Sequence, residues 1–274
     1  MALGLQTNVS SLEVQKNVLK VHNALNQSFN RISSGYRINS AADDAAGLAV
    51  SESMRSQIRS YAVAERNAND AVSMCQTAEG ALGEMHNVLG RMRELAMESA
   101  NGTMSSTDRD NIQEEYSSLV NELERVQGST NFNGVPLLLT DPTNIQFQIG
   151  ISNDGADQLT IAFGGLDLSQ LSASQVDGTD SSNALAALDT IDQTIDTISS
   201  SRAALGADMN RLDVVTNNIQ TMRLNLSAAN SRIRDTDVAE EMATLSKNQI
   251  LSQAGVSLLS QSNQLPQLAL QLLK

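Results

Sequence analysis

The chain has no tryptophan, one cysteine and three prolines in 274 residues. A lone thiol excludes an internal disulfide and a four-thiolate metal site. Aromatic residues make up 3%, so bulky anchors for a globular interior are scarce. Leu, Ile, Val, Met and Ala are enough to fill the narrow seams of a helical bundle. No apolar run approaches the ~20 residues that cross a bilayer. The opening MALGLQTNVS is not a basic segment followed by an apolar one, so no cleavable signal peptide is expected. The two histidines, His22 and His86, show no HExxH spacing and no His/Cys cluster, which argues against zinc. Neither a Walker loop nor GxGxxG occurs. Cys75 and His86 would share one helical face about 16 Å apart along its axis, too far for a thiol–imidazole pair. No catalytic, metal or cofactor site is expected.

Positive charge is also scarce, and the net charge is −13. It is unevenly spread: residues 1–34 and 242–274 each carry +2, so the middle must hold −17. An acidic middle repels nucleic acid and stays soluble. Charge-poor ends rich in Gln, Asn and Ser, yet periodically apolar, suit burial against copies of the same chain.

The periodicity gives the architecture. Leu5, Val9, Leu12, then Val18, Val21, Leu25, Phe29 and Ile32 step mostly by three and four, predicting a helix over 5–33. Gly35 offers its stop, because glycine accepts the left-handed conformation. The segment SSGYRINSAADDAAGLAV then reads as a joint, with Asp43 and Asp44 at the start of a second helix. That helix carries Met54, Ile58, Tyr61, Glu65, Ala68, Val72, Cys75, Glu79, Leu82, Leu89, Met92 and Ala96, until NGTMSSTDRD (101–110) breaks it. A shorter helix follows, through Ile112, Tyr116, Leu119, Leu123 and Val126. NFNGV reads as a turn cluster. Ile145, Phe147, Ile149 and Ile151, then Leu159, Ile161 and Phe163, alternate as two strands, with Asp154-Gly155 as a hairpin turn signal. Residues 164–180 read as a polar loop. Positions 188, 191, 195, 198, 202, 205, 209, 212, 216 and 219 alternate by three and four, and eight of the ten are apolar, a coiled-coil seam. RDTDVAEEM, with Asp235 and Asp237, is a second joint before a last stripe through Leu245, Leu251, Ala254, Leu258, Leu265, Leu268 and Leu272.

The plan is mirrored. The expected fold is mainly α: a long antiparallel helical rod with a small β-hairpin unit at one tip and both termini at the other. Residues 1–42 and 236–274 are expected to form a terminal helical domain. Residues 43–235 are expected to form the rod, with the β-hairpin and loop insert at about 131–182. The subunit-packing residues expected are Leu5, Val9, Leu12, Leu25, Phe29, Ile32, Leu251, Leu258, Leu265, Leu268 and Leu272. The ends are expected to order only when copies assemble. A secreted coiled-coil adhesin is the alternative, and it would need a sizeable recognition domain.

LQTNVSSLEVQKNV, NRISSGYRINSAADDAAGLAVSESMRSQIR, NANDAVSMCQTAEGALGEM, LGRMRELAMESANGT and TNFNGVPLL in the first half resemble bacterial flagellins. So do SRAALGADMNRL, NLSAANSRIRDTDVAEEMA and SQAGVSLLSQSNQLPQLALQLL in the second. The resemblance covers nearly the whole chain, with blocks in order at both ends. Cys75 departs from it, since cysteine is uncommon in that family. Short relatives such as the hook–filament junction protein share the terminal plan. The resemblance implies an extracellular filament of identical subunits, with the terminal helices innermost and residues 164–182 the only outer decoration. It implies export through the flagellar type III channel and a chaperone contact over residues 235–274. Junction and cap proteins are further implied partners. A vertebrate toll-like receptor, or a neighbouring subunit, would contact Arg91, Leu95 and Glu115. Thr179, Ser181 and Ser182 are expected to be exposed on the loop. Neither nucleic-acid binding nor membrane insertion is implied.

Overall fold

The computed structural model describes residues 7–178 and 181–271, with side chains in the last helix described through residue 264. Leu5, Leu272 and Thr179, and the side chains of Leu265 and Leu268, lie outside the described residues. The chain forms two compact units, Met1–Ile58 with Asn225–Lys274, and Arg59–Leu224. Two long helices, α2 (Ala45–Ser99) and α5 (Ser182–Arg234), contribute to both. The boundaries therefore fall inside these helices, not at the joints.

In the first unit, α1 (Val9–Ser34) pairs antiparallel with α6 (Val238–Gln271). Helix α1 starts later than its apolar stripe suggested, because Asn8 caps it and accepts from the Ser11 N–H at 3.1 Å. Gly35 ends it in the left-handed conformation, φ 73°, as its position predicts. Asp44 then caps α2, accepting from the Gly47 N–H at 2.9 Å. Asp43 closes the preceding turn by accepting from the Ser40 N–H and hydroxyl, each at 2.9 Å. Only residues 235–237 separate α5 from α6, so the second joint is shorter than its charged segment suggested.

The second unit is built on α2, α3 (Ser106–Ser129) and α5. Helix α3 begins inside the expected break at 101–110, because Ser105 and Asp108 form a reciprocal capping box. Arg93–Asp192, Arg202–Glu79 and Arg223–Glu65 bridge α2 and α5, and their order makes the two helices antiparallel. Glu65 and Glu79 interrupt the apolar stripe of α2, and these ion pairs explain them. Ile191, Ile198, Leu205, Leu212 and Ile219 are buried at heptad spacing, while Leu188, Ile195 and Met209 pack half-buried beside them. Leu82, Met85, Leu89 and Met92 face them from α2, each buried at about 1.5–3 kcal/mol of hydrophobic stabilisation.

Two hairpins cover this core. Asn133 and Gly134 both adopt positive φ, 50° and 83°, between β1 (Asn131–Phe132) and β2 (Val135–Pro136). That is the backbone a two-residue Asn-Gly turn demands. β3 (Thr143–Gln148) pairs antiparallel with β4 (Gln158–Phe163), with Ile145 opposite Ile161. The expected tight turn at Asp154-Gly155 does not form. Gly155 is absent from the positive-φ glycines, and a single 3₁₀ turn occupies Gly155–Asp157. Residues 149–157 instead wrap around Asp157, whose carboxylate accepts from the Ser152 N–H at 2.6 Å. Gly150 leaves room for that carboxylate; a Cβ there would lie 2.1 Å from it.

The segment after β4 is not a polar outer loop. Leu166, Leu168, Leu171 and Val176 are buried in the core, with a short helix, α4 (Ser169–Ala173), between them. The Gln127 side-chain amide donates to the Leu138 and Leu166 carbonyls at 2.8 and 2.7 Å. The Val176 N–H donates to Gln113 Oε1 at 2.6 Å, and the Ser99 hydroxyl donates to the Val176 carbonyl. Residues 166–176 are a strap fastened across the helices. Of the loop residues expected to be exposed, Ser181 is half-buried and Ser182 is exposed at the start of α5.

Candidate subunit-packing surface

The α1–α6 pair has two kinds of face. Toward α6, α1 presents Ser11, Val14, Val18, Val21, Leu25, Ser28 and Ile32, all buried or half-buried at heptad spacing. Toward α1, α6 presents Glu241, Leu245, Asn248, Ser252, Gly255, Leu259 and Ser262, also in strict three-four steps. This second seam is mostly small or polar. Gly255 lets the helices approach, since a Cβ there would sit 2.7 Å from Val18 Cγ2. Polar pairs fix the register: Asn8 Nδ2 donates to the Ser262 carbonyl at 2.8 Å, and the Ser11 hydroxyl donates to Asn263 Oδ1 at 2.7 Å. Arg31 and Glu241 close the other end at 3.6 Å.

The strongest apolar residues lie outside this seam. Val9, Leu12 and Phe29 remain 68%, 56% and 47% exposed, and Leu251 and Leu258 remain 44% and 55% exposed. Leu19, Ile250 and Val256 join them at the surface. The expected packing residues thus divide: Leu25 and Ile32 are used within the chain, and the others named here face outward. Sequence reading took α1 for one stripe because an internal and an external row both run at helical spacing. On α6 it found the outward leucines but of the seam only Leu245, because five of the seven seam residues are small or polar.

The two joints meet in the same unit. The Arg37 N–H donates to the Arg234 carbonyl at 2.7 Å, and the Thr236 N–H donates to the Gly35 carbonyl at 2.9 Å. Tyr36 and Asp235 form an antiparallel bridge. Arg234 is the hub: its guanidinium lies 4.5 Å from the Tyr36 ring centroid and donates to Glu52 at 2.6 Å. The Arg234 hydrogen bond holds the Glu52 carboxyl below its ordinary range. Nothing in the spacing singled out Arg234.

In the second unit, Arg91 donates to Glu115 at 2.7 Å on the surface. Leu95, grouped with them in the sequence reading, is only 1% exposed and packs in the core, so it does not share their surface. Cys75 is buried, and burial pushes its thiol up to about 11, with the Asp208 carboxylate adding to the shift. The thiol therefore stays protonated. Among the described residues, no group of three His, Cys, Asp or Glu side chains could hold a metal, and no helix is long and apolar enough to cross a membrane.

The chain matches the bacterial flagellin N-terminal helical region over residues 5–141 and the bacterial flagellin C-terminal helical region over residues 188–273. It belongs to the bacterial flagellin family. It is 41% identical over 267 residues to a flagellin of Halalkalibacterium halodurans, covering 97% of this chain and 98% of that one. It is 40% identical over 300 residues to a flagellin of Bacillus subtilis, with the same coverages. A crystal structure of Bacillus cereus flagellin is similar at 34% identity and a TM-score of 0.48, covering 60% of this chain and 94% of that one. As a flagellin, the chain is a self-polymerising structural subunit of the extracellular flagellar filament.

Proposed function

We propose that this flagellin polymerises through the outward apolar rows of α1 and α6 and that the resulting filament drives swimming. The observation that carries this reading is that Val9, Leu12, Phe29, Leu251 and Leu258 stay exposed after their own helices have packed. Water penalises such rows, and stacking copies removes them from it. In the polymer, residues 1–42 and 236–274 form the core, and residues 43–235 form the surrounding shell. The adhesin alternative loses its candidate recognition loop, because residues 166–176 are packed inside the second unit.

Export through the flagellar type III channel is part of this reading, and membership of the flagellin family supports it. A dedicated chaperone over residues 235–274 would shield the exposed row of α6 before assembly. Junction and cap proteins would meet the same helices at the ends of the polymer. A toll-like receptor or a neighbouring subunit would contact the Arg91–Glu115 pair, while the buried Leu95 would serve the core.

Deleting residues 242–274 is the direct test. Loss of filaments with a second unit that still folds is expected; filaments of unchanged yield would refute the reading. Amide exchange adds a second arm. Protection of α1 and α6 should rise from monomer to polymer, and equal protection in both states would remove assembly as its cause.

A further inference from the structure

The helical hairpin between α2 and α3 turns on Asn101-Gly102, and Asn133-Gly134 is a second step of the same type in the β1–β2 hairpin. The two differ in geometry. Asn133 is held at φ 50° and Gly134 at φ 83° between paired strands, so this turn is locked on both sides. Asn101 and Gly102 are exposed, and neither has positive φ. The Asn101 side-chain Oδ1 accepts from the Thr103 N–H at 3.2 Å, which folds the carboxamide back over the chain. The Gly102 N–H donates no backbone hydrogen bond among the described residues.

The main-chain carbonyl of Asn101 is held more firmly. It accepts from the Met104 N–H at 3.2 Å and from Arg109 Nη2 at 3.3 Å. Arg109 is only 4% exposed, and its other bonds run to the carbonyls of Ser99 at 3.0 Å and Gly178 at 3.4 Å. A buried guanidinium that, among the described residues, is satisfied by neutral carbonyls gains from a carboxylate in place of one of them.

We propose that Asn101 is a site of spontaneous deamidation and that Arg109 directs the product to isoaspartate. The Gly102 nitrogen attacks Cγ of Asn101. The carboxamide C–N bond breaks, the Gly102 proton leaves with the departing amide as ammonia, and a succinimide closes. Water then adds to one ring carbonyl, the ring C–N bond at that carbon breaks, and a water proton restores the Gly102 N–H. Nothing is oxidised or reduced. Two donors already point at the main-chain carbonyl oxygen, so negative charge developing there is stabilised and water adds at that carbon. The backbone then runs through the former side-chain carbon. The former main-chain carbonyl becomes a free carboxylate beside Arg109.

Ageing the folded protein at mildly alkaline pH tests this. Peptide mass reads deamidation, and methyl transfer by an isoaspartate methyltransferase reads the isoaspartyl share. Asn101 should convert several-fold faster than Asn133, with a larger isoaspartyl share than the same site gives in the urea-unfolded chain. Gly102→Ala, where a Cβ meets nothing within 4 Å, should slow Asn101 and leave Asn133 unchanged. Arg109→Gln should lower the isoaspartyl share toward the unfolded value. If that variant loosens the loop, the rate rises but the share still falls. Equal rates at Asn101 and Asn133 in the folded protein, or a share equal to that of the unfolded chain, would overturn the proposal. So would a share untouched by Arg109→Gln.

Discussion

Replacing Leu251 and Leu258 together by alanine should weaken filament growth without weakening the fold. Their exposures of 44% and 55% amount together to roughly one leucine wholly in water. Covering that much leucine surface is worth about 1.5–3 kcal/mol. If neighbouring copies cover it fully, each added subunit of the double variant loses about that much. At about 1.4 kcal/mol per factor of ten, the critical concentration for seeded growth should rise by roughly ten- to a hundredfold. The assay is the soluble fraction left after seeded polymerisation and pelleting. Thermal unfolding of the unpolymerised protein is the control. Both side chains lie outside the α1–α6 seam, so the monomer transition should barely move. An unchanged critical concentration with an unchanged melting curve would refute the assignment of these leucines to subunit packing. A large fall in monomer stability would show that they support the fold instead.

Gly255→Val should separate α1 from α6, because a Cβ already lies 2.7 Å from Val18 Cγ2 and valine adds two methyl groups. Overpacking of this kind costs about 1–3 kcal/mol, and reduced amide protection in both helices would read it. Leu171→Ala in the strap should destabilise the second unit by about 2–5 kcal/mol in urea titration; a near-neutral result would return residues 166–176 to the status of outer loop. Acid should loosen the joints. Glu52 and Asp43 have folded pKa values held below 4.5 and 3.8, by the Arg234 hydrogen bond and by the Ser40 backbone hydrogen bond respectively. Their stabilisation is present above those values and is lost as pH falls through the lowered ones. The denaturation midpoint should therefore drop as pH falls below the ordinary carboxylate range, and Glu52→Gln should flatten part of that dependence.

Several elements were legible because they depend on local physics. The three-four rhythm from 188 to 219 specifies a seam wherever the facing helix comes from, and the buried residues of that stretch other than Thr194 fall on it. Gly35 marks a helix stop because only glycine tolerates the left-handed cap without strain. The alternation at 145–151 and 159–163 specifies strands, and residues 145–148 pair with 158–161 as it implies, while Ile149 and Ile151 fall beyond the end of β3. The Asp154-Gly155 turn was misread because turn propensity is a local preference, and the Asp157 carboxylate in the space above Gly150 overrides it.

The sequence by itself determined the helical class, the mirrored order of elements and the two joints, since periodicity and capping act within a few residues. Tertiary structure decided which apolar residues are spent inside the chain and which are left for neighbours. Leu25 and Leu251 look alike in a stripe, yet one meets α6 and the other meets water. It also decided that the residues after β4 are core and that Leu95 is buried while Arg91 and Glu115 pair on the surface. Burial is a property of what packs against a residue, and neither composition nor spacing records that.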